Sequence, residues 1–235
     1  MATSGTRAWS LDIDEIIKEA VELAGGQQAL GNDARTLVRS LNLLYTDLTN
    51  RKINLFTLAA KTMALSANDA EYAVSASDVD ILNAAIRTGS GTSQTDIRIE
   101  RVGFDLYAQI SNKAQTGRPT LFYVDRAVAN PTITLWPVPD QAYTLYYWVF
   151  QRFEDATAMA QDPGVPFRYI PVLTNGLAYQ LARKRASQVR DPNEMQAAEA
   201  LVARLKLEYE EALDYATTED RERVSTFVLP ALTTP

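Results

Sequence analysis

Pro119–Phe150 reads PTLFYVDRAVANPTITLWPVPDQAYTLYYWVF, and its punctuation cuts it into three strands. β-branched and aromatic residues fill Leu121–Arg126, Thr132–Trp136 and Tyr143–Phe150, while Asn130-Pro131 and the Pro137–Asp140 run mark the breaks. The third strand is apolar on both faces. Tyr143, Leu145, Tyr147 and Val149 alternate with Tyr146, Trp148 and Phe150, so each face needs a cover. Two settings satisfy that: the centre of a packed sheet, or a sheet with one aromatic face in a subunit interface, where Tyr and Trp are enriched.

Upstream of this stretch the chain begins with helical spacing. Residues 1–9 read as a loose leader. Asp12 and Glu15 form a capping-box pattern, and Ile13, Ile16, Ile17, Ala20, Leu23 and Ala24 follow on one face until Gly25-Gly26. A second helix starts near Asn32-Asp33 with Ala34, Leu37, Val38, Leu41, Leu44, Tyr45 and Leu48 on its stripe. From Ile53 the period becomes two. Ile53–Met63 reads as a strand, Ser66–Asp69 as a turn, and Asp78–Ile86 fits either a strand or a short helix. Thr95–Arg101 alternates, predicting Ile97 and Ile99 inward. Thr88–Thr95 has the composition of an exposed, mobile loop, and Phe104, Tyr107 and Ile110 predict a brief helix.

Downstream, a loop rich in Ala, Asp and Pro closes at Pro163–Pro166, and two long helices follow. The first carries Ile170, Leu173, Leu177, Ala178, Leu181 and Ala182. The second starts near Asn193 after Asp191-Pro192 and holds Met195, Ala198, Val202, Leu205, Tyr209, Ala212 and Ala216 in strict three-four spacing, a heptad seam. The expected fold is α+β. A four-helix bundle-like body joins residues 1–52 to the hairpin 166–222, a β-rich domain spans 53–165, and residues 223–235 form an extended arm. That arm is heavily apolar (Val224, Phe227, Val228, Leu229, Leu232), unlike a polar disordered tail.

Composition limits the chemistry. Of 235 residues, 46% are hydrophobic and 22% charged, ordinary values for a soluble globular protein, and no apolar run reaches the length of a membrane span. A net charge of −6 is a poor basis for gripping DNA backbone. With neither cysteine nor histidine, disulfides, thiolate nucleophiles and the usual zinc, haem and copper ligands are excluded. No Walker A loop, Gly-x-Gly-x-x-Gly or Ser-x-x-Lys occurs. Asp12-x-Asp14 and Asp78-x-Asp80 read as caps and turns, and the pairs Glu154-Asp155 and Glu210-Glu211 as solvated surface. No catalytic, cofactor or metal residues are predicted. The charge layout is more informative. Arg183, Lys184, Arg185 and Arg190 form a basic cluster, whereas 208–222 hold seven carboxylates against one cation. Arg183, Lys184 and Arg185 facing Glu208, Glu211 and Asp214 of a neighbour would make a head-to-tail contact between identical subunits.

Taken in order, Leu41–Leu48, Ile53–Leu58, Tyr72, Gly117-Arg118-Pro119-Thr120, Trp136–Asp140, Tyr143–Phe150, Leu173–Ala186 and Leu205–Arg223 resemble the head-to-tail adaptor (connector) proteins of tailed, especially short-tailed, bacteriophages. The resemblance covers Leu11 to Arg223. It implies a non-enzymatic virion protein at the head–tail interface, assembled in the host cytoplasm. It also implies a ring, usually of twelve copies, bound to the portal protein and carrying a tail nozzle or tail-tube protein, with DNA passing through unbound. The arm residues Val224, Phe227, Val228, Leu229 and Leu232 are the expected docking segment for portal or neighbour. A cell-wall-cleaving phage enzyme using the exposed carboxylates, or a tail-tube or nozzle subunit, are the alternatives.

Overall fold

The computed structural model describes residues 10–26, 34–51, 57–89, 91–126 and 130–219. The fold is α+β, and the chain divides into two compact units. One takes Met1–Phe56 with Asp155–Pro235, and the other is Thr57–Glu154.

In the first unit, helix α1 (Ile13–Leu23) starts where Asp12 accepts from the Glu15 N–H at 2.8 Å and Glu15 accepts in return from the Asp12 N–H at 3.2 Å. Ile13, Ile16, Ile17 and Ala20 are buried. Helix α2 (Ala34–Asn50) buries Leu37, Leu41, Leu44, Tyr45 and Leu48. Helix α4 (Ile170–Ala186) is buried on most sides between Ile170 and Ala182 and packs against α1, α2 and the long helix α5 (Pro192–Glu219). Gly176 of α4 lets those helices approach: a Cβ there would lie 2.9 Å from the Tyr209 ring and 3.0 Å from Leu44.

The heptad seam predicted for α5 is corrected in part. Leu205, Tyr209, Leu213 and Ala216 are buried, Met195 is exposed, and Leu213 rather than Ala212 carries the seam late in the helix. A straight helix of 3.6 residues per turn drifts away from a seven-residue repeat, and the buried line drifts with it.

The second unit holds nine strands and one short helix among the described residues. These are β1 (Leu58–Leu65), β2 (Glu71–Ala73), β3 (Asp78–Thr88), β4 (Thr95–Val102), α3 (Phe104–Gln109), β5 (Thr116–Gly117), β6 (Leu121–Asp125), β7 (Thr132–Trp136), β8 (Val138–Pro139) and β9 (Tyr143–Gln151). Seven strands form one sheet in the order β1-β9-β3-β4-β6-β7-β2, with only β4 and β6 parallel, and β5 pairs β8 separately. The core is Leu65, Ile81, Ile86, Ile99, Phe122, Ile133, Leu135, Leu145, Tyr147, Val149 and their neighbours. Tyr72 ties the predicted turn, accepting from the Ser66 N–H at 2.9 Å with the Ser66 and Asp69 carbonyls 3.1 and 3.0 Å from its hydroxyl.

The three strands of the opening stretch are β6, β7 and β9, and β9 sits between β1 and β3. The link Pro137–Ala142 is more than a loop, since it contains β8. Asp78–Ile86 is strand, within β3. The strand expected from Ile53 is described from Leu58 onward; residues 52–56 lie outside the described set. The stretch Thr88–Thr95 contains a 3-10 turn at Gly91–Ser93 that closes the β3–β4 hairpin. Ile97 is not inward: it is 39% exposed. β6 pairs β4 only over Glu100–Val102, so Ile97 has a strand on one flank alone.

Candidate interaction surfaces

The basic cluster ends α4, where positive side chains complement the helix dipole. Its members face different ways. The Lys184 ammonium donates to Ser40 Oγ, which in turn donates to the Thr36 carbonyl at 2.8 Å. Desolvation, and then the charge of Arg39, pushes the Lys184 pKa down. Arg185 donates to the Gly25 carbonyl at 2.9 Å, satisfying the end of α1. Gly25 has φ +100°, and a Cβ there would meet the Arg185 guanidinium at 2.6 Å. Arg183 is exposed, its guanidinium 5.5 Å from the centre of the Tyr179 ring.

The acidic residues Glu208, Glu211 and Asp214 lie along α5. Glu208 pairs with Arg204 at 3.5 Å, and Glu210 with Lys206 at 3.6 Å. Glu211 and Asp214 are exposed and make no ion pair among the described residues. Within one chain the two sets stand apart. Arg185 is beside Gly25, which neighbours Leu201, and Glu211 is ten residues further along α5, about 15 Å. Tyr209, between them, stacks on Tyr179 and hydrogen-bonds Asp47 at 3.3 Å; burial, more than its charged neighbours, pushes its hydroxyl up to about 12.

Strand β9 shows its two faces plainly. Leu145, Tyr147 and Val149 are buried, while Tyr146 and Phe150 are half-buried and Trp148 is 37% exposed. Tyr146 and Trp148 meet edge to face, with ring centres 4.6 Å apart. Arg87 lies 3.9 Å over the Tyr146 ring and forms a two-pronged pair with Asp96, both contacts 2.8 Å. That pairing raises the Arg87 pKa and lowers that of Asp96.

Asp78 and Asp80 are neither caps nor turn residues: both are buried in β3. Arg101 donates to Asp80 and to the Ile81 carbonyl, each at 2.8 Å, and Arg126 takes the other Asp80 oxygen. Burial works against the Asp80 charge, but the hydrogen bonds from Arg126 and Arg101 outweigh it and hold the carboxyl below the usual range. Asp78 accepts from Lys61 at 2.6 Å and Gln151 at 3.0 Å. Neither cluster was legible, because the partners come from distant strands.

Glu154, Asp155, Glu210 and Glu211 are exposed, and no group of three or more metal-ligating side chains occurs among the described residues. The arm residues Val224, Phe227, Val228, Leu229 and Leu232 lie outside the described residues. No curated protein matches the chain. The order of motifs along the chain nonetheless has a counterpart: the family model for the SU10 adaptor protein matches residues 11–230, and the chain belongs to that family.

Proposed function

We propose that this phage structural adaptor is the ring subunit that joins the portal to the tail and forms part of the DNA channel. The family match over residues 11–230 carries the reading. Its work is assembly rather than catalysis. The helices α1, α2, α4 and α5 act as a bundle-like body, twelve copies close the ring, and a tail nozzle or tail-tube protein binds beyond it. DNA passes without specific contacts, and the finished ring resides in the virion after assembly in the host cytoplasm. Charged groups on the helical unit, among them Arg183, Lys184, Arg185, Glu208, Glu211 and Asp214, bias neighbouring copies into head-to-tail order.

The arm docks in extended form on the portal or a neighbour. Phe227 and Leu229 are two apart and reach the same side of an extended chain. Burying both is worth about 3–6 kcal/mol before ordering costs. Deleting residues 224–235 should leave a folded protein that no longer co-sediments with portal-bearing capsids. Unchanged co-sedimentation would remove the arm from the mechanism. If the full chain co-purifies with tail tube but never with portal, the adaptor position itself is wrong.

A further inference from the structure

Helix α2 carries a second, outward face, on which Asn42 is held by the Ala156 backbone at 2.8 and 3.0 Å. Arg35, Val38, Arg39, Asn42, Leu43 and Thr46 line a shallow groove of about 350 Å³ there. Leu43 is 57% exposed, and Arg39 makes no ion pair among the described residues. Burial first, and then the neighbouring charge of Arg39, pushes the Lys184 pKa down, so a second cation lies near Arg39 on the helical unit. On α5 a matching outward line runs Leu207, Glu211, Tyr215. Leu207 is 60% and Tyr215 73% exposed, Glu211 is exposed, and Asp214 sits beside them.

We infer that the α2 groove receives the α5 outward face of a second copy of this chain, with the helices antiparallel. The spacing fixes the register. Stepping back four residues at a time from Leu43 gives Arg39 and Arg35; stepping forward by four from Leu207 gives Glu211 and Tyr215. Residues four apart share one helix face. With Leu43 set against Leu207, Arg39 therefore meets Glu211, and Tyr215 comes opposite position 35 with Asp214 next to it. The parallel alternative fails, because it places Asp47 against Glu211. Donor and acceptor faces are different surfaces of one subunit, so the contact is heterologous and repeats from copy to copy. This deepens the ring reading and rests on it for closure.

The chain contains no cysteine, so introduced thiols report alone. Full-length Leu43→Cys and Leu207→Cys variants are mixed at high concentration and low salt, then oxidised. The mixed disulfide should exceed either homodisulfide about tenfold and fall as salt rises. Adding Arg39→Glu to the first variant, or Glu211→Arg to the second, should cut the yield about tenfold, and combining the two should restore it. Absence of the mixed disulfide, homodisulfides only, or a yield indifferent to charge reversal each overturns the contact. Duplex DNA binding lost in Arg39→Glu, without the mixed disulfide, would assign the groove to phosphate backbone instead. Co-sedimentation of the wild-type chain with portal-bearing capsids reads the adaptor position separately: it succeeds whether or not this contact exists.

Discussion

Asp80 shows how one side chain organises a sheet. Its two oxygens engage Arg101 from β4 and Arg126 just past β6, so three segments converge on a single carboxylate in β3. Because those guanidiniums depress its pKa in the folded chain, the unfolded chain binds the proton more readily. The stabilisation is therefore complete above about pH 4 and is lost as pH falls through the lower folded value. Asp80→Asn should lower stability by about 2 kcal/mol, less than the loss on breaking a fully buried pair because Arg126 is half exposed. It should also flatten the acid side of the stability profile; urea melts between neutral pH and about pH 3 check both, and an unchanged acid slope would show that the triad is not a source of it. None of this could be read from the Asp-x-Asp pair. A buried carboxylate and a turn carboxylate look alike in sequence until their partners, 21 and 46 residues away, are placed.

At the level of the element, β9 is the most legible part of the molecule. Its apolar double face fitted either a central strand or a strand with one face in a subunit interface, and within the sheet it is central, between β1 and β3. The two faces should respond differently to truncation. Leu145→Ala removes a fully buried side chain and should cost about 3 kcal/mol, whereas Trp148→Ala on the open face should cost about 1 kcal/mol or less. Denaturant melts of the two variants test this, and equal losses would mean the outer face is packed as tightly as the inner one. The other strands of the opening stretch and the brief helix at Phe104 were equally plain, since composition and period agreed. What escaped was set by neighbours rather than by the segment itself. β5 and β8 are two residues each and too short to carry a period. Ile97 alternates correctly yet lacks a strand on one side, and the outward face of α2 became visible only once the inward one was filled.

For the whole molecule, the charge balance governs behaviour toward nucleic acid. With a net charge of −6, and with Lys184 and Arg185 engaged by Ser40 and Gly25 of the same chain, the free protein should give no salt-sensitive gel shift with duplex DNA at moderate salt. Tight binding abolished by changing Arg183, Lys184 and Arg185 to Ala would reverse that expectation. The sheet unit has another property. Its first strand, β1, and its last, β9, pair antiparallel, with Leu58 opposite Phe150, so the chain enters and leaves at two points about 5 Å apart. A segment with touching ends behaves as a cassette. Because its two ends already meet, lengthening or exchanging it changes the loop-closure cost little. Residues 57–154 made alone should melt cooperatively with a β-type circular dichroism spectrum, and a non-cooperative melt would show that the strands depend on the helices. Lineages sharing the helical frame would then be free to trade this insert as a single piece.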